Sequence, residues 1–251
     1  MTRETLVLVG RSPVAPVAAT HADRLRDRGI VDEVRVATYR SEPAHELRDP
    51  LSGVSGDRIY AVPMCFAHTH ATLRDVPRAL GRLPGGVRYC DPIGTSPLVT
   101  GAIHGAAGGE SDADSLLLVA LGNSSEDHAR EAAAFHADRL RDEYAEVRTA
   151  FLLQSPAVEC ARYTLEADRA AVCPLFLADC EATTEEIPKR LEVARGGLDY
   201  AEPFGDDPAV TEAIRVAVER ERVLAESGTA SPGTDLVSNA RAVATDGRGD
   251  T

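Results

Sequence analysis

Hydrophobic and polar positions along this chain fall into short apolar runs separated by segments of helical period, in the same order in both halves. Thr5 to Val9 and Leu116 to Leu121 are apolar runs of strand length. Each is followed by a stretch in which apolar residues recur every three or four positions. Val14, Val17, Ala18, His21 and Leu25 share one helical face, as do Ala132, Ala133, His136 and Leu140. Val34 to Tyr39 and Val147 to Leu153 predict second strands, closed by Glu42-Pro43 and Ser155-Pro156. Third strands are predicted through Ile59 to Phe66 and Ala170 to Leu177. Helices then begin near Leu73 and Thr184, each with an early proline, Pro77 or Pro188. Arg88 to Cys90 and Leu198 to Tyr200 read as brief fourth strands, each leading through a Gly-containing loop into a last helix. Strands alternating with helices predict an α/β class in which parallel sheets are covered on both faces.

The repetition is also literal. His21-Ala22-Asp23-Arg24-Leu25-Arg26-Asp27 recurs letter for letter at His136-Ala137-Asp138-Arg139-Leu140-Arg141-Asp142, an offset of 115 residues. At an offset of 111, Pro63 and Pro77 find Pro174 and Pro188, and Tyr89, Pro92, Gly94 and Pro97 find Tyr200, Pro203, Gly205 and Pro208. A seven-residue identity followed by collinear matches marks an internal duplication. The expected fold is therefore two similar doubly wound parallel-sheet halves related by a pseudo-twofold, with a cleft between them. In open sheets of this kind ligands bind beyond the carboxyl ends of the strands. The halves are expected at 1–104 and 115–225, joined by a linker at 105–114. From about 226 to 251 the chain is rich in Gly, Ser, Thr, Asp and Ala without period, and a disordered tail is expected there.

Composition narrows the function classes. The chain of 251 residues can bury a proper core, and its hydrophobic fraction of 43% is ordinary for a globular protein. Its apolar runs are too short to span a bilayer, and Met1 to Glu4 leads directly into a strand rather than a signal peptide. A cytoplasmic protein without membrane partner is expected. Forty acidic against 27 basic residues give a formal charge of −13, and Lys189 is the single lysine. An acidic, lysine-poor surface suits a salt-rich, halophilic cytoplasm, and without a basic stripe nucleic acid is excluded as partner. Cys65, Cys90, Cys160, Cys173 and Cys180 form no CxxC pair, so reduced, mostly buried thiols are expected rather than disulfides or structural zinc.

The richest chemistry lies at the end of the third strand of the first half, in Val62-Pro63-Met64-Cys65-Phe66-Ala67-His68-Thr69-His70 and then Arg74-Asp75-Val76-Pro77. In an extended segment residues two apart project on one side, so His68 and His70 could converge on one ion. Imidazole suits cobalt, nickel, iron and zinc. The pattern alone equally describes two loop histidines bonded to neighbours. His21 and His136 repeat strictly within an apolar helical stripe, which favours a structural role. His45, His104 and His128 have no partner in the other repeat and read as surface residues.

Val-Pro, three apolar residues and Ala-His, followed by Asp-Val-Pro, resembles the signature of the CbiX-like class II chelatases around their metal-binding histidine. Glu42-Pro43 resembles that family's Glu-Pro after strand two, and Tyr89 to Pro97 its closing loop. In the second half, Cys173-Pro174-Leu175-Phe176-Leu177-Ala178 and Glu186-Ile187-Pro188 match the same scaffold. The resemblance covers about residues 5 to 224 in the long, duplicated form. It implies a metal-ion lyase that inserts a divalent metal, cobalt first and iron or nickel as alternatives, into sirohydrochlorin in cobalamin or sirohaem synthesis. The metal is then a substrate, no organic cofactor is needed, and the fused duplication implies a monomer. The usual histidine pair is altered. The first family histidine position holds Arg11, in Gly10-Arg11-Ser12, and Leu121 in the second half; the second position holds Ala71, with His70 one residue short, and Ala182. His68 and His70 stand as a shifted metal pair. Glu42 is the candidate base for the pyrrole protons, with His70 also catalytic and Asp75 a weaker choice. The substrate's carboxylates call for guanidinium forks, for which Arg11 and Arg40 are placed just past strands, and Thr95 and Ser96 offer a hydroxyl and free N–H groups at a helix start. The alternatives are a catalytically degenerate paralogue that binds metal or tetrapyrrole, or assists an active chelatase, and a small-molecule binder of periplasmic shape, against which the lack of an export signal counts.

Overall fold

A computed structural model describes residues 2–109, 113–167 and 169–246, with side chains described to residue 241. The first sheet contains β1 (Glu4–Arg11), β2 (Glu33–Tyr39), β3 (Arg58–Pro63) and β4 (Gly86–Tyr89), all parallel in the order β2-β1-β3-β4. The second contains β5 (Ser115–Ala120), β6 (Glu146–Phe151), β7 (Ala170–Pro174) and β8 (Leu198–Tyr200), again all parallel, in the order β6-β5-β7-β8. The helices in chain order are α1 (Ala15–Asp27), α2 (Pro43–Glu46), α3 (Val76–Leu80), α4 (Val99–Ala106), α5 (His128–Leu140), α6 (Val158–Ala161), α7 (Ile187–Arg190), α8 (Pro208–Glu226) and α9 (Pro232–Asp246). The expected α/β class and its duplicated halves are present. Among the described residues, no helix is long and apolar enough to cross a membrane.

Both central strands are apolar at every position but their ends, as they must be when each face is covered. On β1, Val7 and Val9 join one core with Leu47, Leu51, Val76 and Leu80 from beneath α2 and α3. Leu6 and Leu8, fully buried, point to the opposite face, against which α1 lies. Leu117 and Val119 repeat the first arrangement with Val158, Ile187 and Leu191.

The strand ends expected at Phe66 and Leu177 fall earlier, at Pro63 and Pro174. Proline has no N–H to give to the ladder, so each strand stops there. The following segments bend, and both halves then form a π-helical turn, Ala71–Asp75 and Ala182–Glu186, in front of Pro77 and Pro188. A proline inside an α-helix clashes with the carbonyl four residues back; the widened turn accommodates it.

Contacts divide the chain differently from its repeats. One compact unit holds the stretch up to Ile93 and the stretch from Thr211 onward; the other is Gly94–Val210. The last helix of each sequence repeat therefore completes the other repeat's sheet: α4 belongs with the second sheet, and α8 from Thr211 with the first. Buried histidines fix both exchanges. His21 on α1 is fully buried, with Nδ1 2.7 Å from Thr211 Oγ1. His136 on α5 is equally buried, with Nδ1 2.8 Å from Thr100 Oγ1 and Nε2 2.7 Å from the Gly94 carbonyl. The structural role expected for this pair is what the geometry provides. A second tie, from Arg222 Nη2 to Glu4 Oε2 at 2.7 Å, holds α8 to the start of β1.

Two expectations need correction. The tail read as disordered carries α9, which packs Leu236 and Val237 onto the first sheet's core. Gly233 makes this approach possible, since a Cβ there would lie 2.2 Å from the Tyr89 carbonyl oxygen. Thr234 Oγ1 accepts the Tyr89 N–H at 3.3 Å, and Arg241 Nε donates to the Gly81 carbonyl at 2.9 Å. The helix thus covers the β4 edge and the open carbonyls after α3, which small residues without obvious period concealed. Of the segment read as a linker, α4 occupies the start, and 110–112 lie outside the described residues. The cysteines are free thiols, but Cys160 is exposed and Cys65 and Cys180 only half-buried by area.

Burial lowers the pKa of His136, with the Gly94 carbonyl opposing and Arg139 adding to the fall. The Gly94 carbonyl can only accept, so Nε2 carries the proton and the ring is neutral. A depressed folded pKa means that this stabilisation is full above the ordinary imidazole value of about 6.5 and is lost as pH falls through it. His136→Gln should therefore lower the melting temperature at pH 8 but flatten its decline between pH 8 and pH 5.5; an unchanged slope by calorimetry would contradict this.

Candidate functional site

The carboxyl edge of the first sheet gathers the charged side chains that the sequence singled out in that unit. Arg11 is the last residue of β1 and lies opposite Tyr39 in register. Its Nε and Nη2 donate to the Arg40 carbonyl at 3.3 and 3.2 Å, tying the exits of β1 and β2 together with both arginines exposed. Burial pushes the Tyr39 phenol up to about 12; the Cys65 thiol and Asp75 carboxylate add to the rise, and the Arg11 guanidinium opposes it. Charges at the end of β1, after β3 and in the π-turn thus all act on one phenol. Cys65 itself, pushed up to about 12 by burial, stays a thiol and donates to the Ala67 carbonyl at 3.3 Å.

Glu42 is exposed and makes no side-chain cap, although it occupies the cap position of α2. That work is done by Glu46, whose carboxylate accepts the backbone N–H groups of Glu42 at 2.7 Å, Arg40 at 2.8 Å and Ser41 at 2.9 Å. These bonds hold the Glu46 carboxyl down at about 2. The Glu42 carboxylate is presented to solvent on a loop that its neighbour has fixed. Asp75, at the cap position of α3, likewise makes no side-chain cap bond.

The histidines occupy a different conformation from the one the sequence suggests. With β3 ended at Pro63, strand alternation does not reach them. His70 has helical dihedrals, φ −50° and ψ −43°, at the head of the π-turn, and is exposed. His68 is half-buried just before it, its Nδ1 3.2 Å from Thr72 Oγ1 and its ring 6.4 Å from that of Tyr89. The two are neighbours through the turn rather than along a strand. Among the described residues no group of three or more His, Cys, Asp or Glu side chains is arranged to hold a metal ion.

Thr95 and Ser96 fall in the other unit. Thr95 closes a 3-10 turn, Ile93–Thr95, and α4 begins only at Val99, so the helix start expected at this pair is displaced by a few residues. At the second sheet's carboxyl edge the matching positions read Leu121 for Arg11, Leu153 for Arg40, Ser155 for Glu42, Asp179 for His68 and Glu181 for His70. Leu153 is 55% exposed, which is unusual for a leucine. Two hollows of about 470 and 570 Å³ lie elsewhere, between α2, α3 and the loop at Ser55 and at the amino ends of β1, β3 and β4, away from this chemistry.

The sequence missed Tyr39 and Thr72. The repeat could have found the second, because Thr72 and Tyr89 recur as Thr183 and Tyr200 with the same bond, tyrosine hydroxyl to threonine carbonyl at 2.8 Å in both halves.

Two four-stranded parallel sheets with matching strand order, one in each half, make this a duplicated α/β fold. Residues 115–221 match the CbiX family model. A probable sirohydrochlorin cobaltochelatase of Halobacterium salinarum is 28% identical over 223 residues, covering 74% of this chain and 76% of that protein. A multi-domain protein of Deinococcus radiodurans with structural similarity to chelatases superposes with a TM-score of 0.68 at 26% identity over 86% of this chain; the match spans 54% of that longer protein. The sirohydrochlorin chelatase SirB of Bacillus subtilis subspecies spizizenii, in complex with cobalt, shares the fold with a TM-score of 0.70 at 17% identity, covering 90% and 97% of the two chains. Residues 115–221 thus resemble the CbiX family, and the chain shares the fold of solved chelatases.

If Glu46 fixes the loop that presents Glu42, Glu46→Ala should speed amide hydrogen exchange at Ser41 and Glu42 several-fold while leaving β1 amides unchanged. Unchanged exchange at both would show that the loop is held otherwise.

Proposed function

We propose that this chain inserts a divalent metal, cobalt before iron or nickel, into sirohydrochlorin, in cobalamin or sirohaem synthesis. The supporting observation is that Arg11, Arg40, Glu42, His68 and His70 all follow carboxyl ends of strands of one parallel sheet, where Arg11 is bonded to the Arg40 backbone carbonyl. Open parallel sheets place ligand sites at such edges.

The chemistry asks for three things. Metal insertion exchanges two pyrrole N–H protons for one divalent ion, so an acceptor must stand where the protons leave. Glu42 offers an exposed carboxylate with no structural bond to give up. The ion must be held weakly enough to be released. Two imidazoles from one turn, with water completing the shell, would bind transiently. The macrocycle's carboxylates need positive charge on a protein whose net charge is −13. Arg11, tied to the Arg40 backbone carbonyl, and Arg40, exposed at the next strand exit, would supply it locally, and the fork geometry of guanidinium suits carboxylate oxygens. Thr95 and Ser96 remain candidate contacts to the substrate.

A second reading has its own observation. With Arg11 and Leu121 where the family places one histidine, neither half keeps that ligand, as in a paralogue that binds metal or tetrapyrrole without turnover. Following the absorbance change when purified protein meets sirohydrochlorin and Co²⁺ separates the two. We expect a rate above the protein-free control, abolished in the His68→Ala/His70→Ala variant and lowered about 100-fold or more by Glu42→Gln. A wild-type rate equal to the control would leave only the binding role.

A further inference from the structure

A proline leaves one carbonyl of the histidine-bearing turn without its regular donor. In a π-turn each carbonyl accepts the N–H five residues on, and the Val76 N–H does this for Ala71. The next carbonyl, that of Thr72, would pair with Pro77, whose nitrogen carries no hydrogen. The Tyr89 hydroxyl supplies a donor instead, at 2.8 Å. Thr183, Pro188 and Tyr200 repeat the arrangement in the second half, again at 2.8 Å. A buried carbonyl left unmatched is costly, so each turn leans on its tyrosine.

What surrounds the two tyrosines differs. Tyr89 is fully buried, and α9 packs against β4, α3 and the π-turn. Thr234 Oγ1 accepts the Tyr89 N–H at 3.3 Å. Gly233 lets the helix lie so close that a Cβ would stand 2.2 Å from the Tyr89 carbonyl oxygen. Leu236 and Ala71 pack on the core cluster that holds Tyr89, Val76 and Val237. Among the described residues no helix packs on β8 as α9 does on β4, and Tyr200 is only half-buried. The first bond is thus the more deeply buried, and burial strengthens a hydrogen bond that stays satisfied. His68 and His70 lead into this braced turn, whereas Asp179 and Glu181 lead into the other.

We propose that Tyr89 is a positioning residue: held at its backbone by α9, it donates its hydroxyl proton to the turn and so fixes how His68 and His70 are presented to a metal ion. Gly233 and Thr234 act through it. The inference rests on the reading of the two histidines as ligands, and its test separates the two.

Amide hydrogen exchange and a Zn²⁺ titration, both on the full chain, make the test. We expect Tyr89→Phe, which removes only the hydroxyl, to speed exchange at Leu73 and Val76 about tenfold. Tyr200→Phe should loosen only the matching amides, Thr184 and Ile187. Gly233→Ala raises helix propensity yet drives a methyl into the Tyr89 carbonyl, so it should loosen the first turn as well. With Zn²⁺ binding followed by the His68 and His70 imidazole resonances, wild type and Tyr200→Phe should bind alike. Tyr89→Phe should bind about tenfold more weakly. A tyrosine that merely stabilises the fold would lower the melting temperature in either half and leave Zn²⁺ affinity alone. Wild-type exchange at Leu73 and Val76 in Tyr89→Phe overturns the proposal. So does wild-type exchange there in Gly233→Ala, which decides the question should Tyr89→Phe fail to fold. Loosened exchange with undiminished Zn²⁺ affinity also overturns it. If the exchange is as stated but Zn²⁺ leaves both histidines unshifted in wild type, the ligand reading falls, and the positioning role with it.

Discussion

A buried imidazole bonded to a threonine, made once in each unit, is the constraint on which the rest of this structure depends. Each sheet takes one covering helix from the other sequence repeat, α8 for the first and α4 for the second. His21–Thr211, with both partners fully buried, and His136–Thr100, with a fully buried imidazole, fasten these exchanged helices. Leaving one buried polar group unmatched would cost about 1–3 kcal/mol, a large share of a domain's net stability. With α1 and α8 fixed on one face of the first sheet, and α2, α3 and α9 on the other, the exits of β1, β2 and β3 are set side by side. The site at the carboxyl edge inherits its geometry from that packing.

The two halves share a scaffold and differ at its rim. Strand order, proline-ended third strands, π-turns and the threonine–tyrosine bond all recur. At the edge itself the first half carries Arg11, Arg40, Glu42, His68 and His70, while the second carries Leu121, Leu153, Ser155, Asp179 and Glu181. Packing selects the recurrent residues, because changing them disrupts a core or a turn. Rim side chains are under no such demand and can diverge in chemistry. On a chain of net charge −13, an anionic ligand would be repelled wherever that charge is not locally reversed, as exposed Arg11 and Arg40 would do at this edge.

Most of the fold was legible in the sequence because it is written in two strong signals: apolar runs of strand length and a seven-residue identity between His21–Asp27 and His136–Asp142. Burial of those histidines followed from their place on an apolar stripe. What failed was local or long-range. The reach of β3 was overestimated because Met64 to Phe66 are apolar, although Pro63 had already removed the ladder donor. The turn at His70 was misread for the same reason. The exchange of α4 and α8 is a choice of packing partner, and two equivalent repeats offer each helix two equivalent sheets. α9 was missed because Gly233, Thr234 and Ser238 look like tail composition, yet small size is what lets this helix lie against β4. The candidate site residues were named from their types, while neighbouring groups such as Glu46 and Thr72 were not, since a cap or a buried hydroxyl is defined by backbone groups that sequence does not display.

The central claim is that the first sheet's carboxyl edge, and not its counterpart, meets the anionic substrate. The direct test is a spectroscopic titration of sirohydrochlorin, without metal, into Arg11→Leu/Arg40→Leu, which installs the second half's residues, and separately into Leu153→Ser. The account predicts an affinity at least about tenfold weaker for the arginine pair, in keeping with the loss of charge-assisted bonds, and wild-type affinity for Leu153→Ser. Undiminished binding by the Arg11→Leu/Arg40→Leu protein would contradict it.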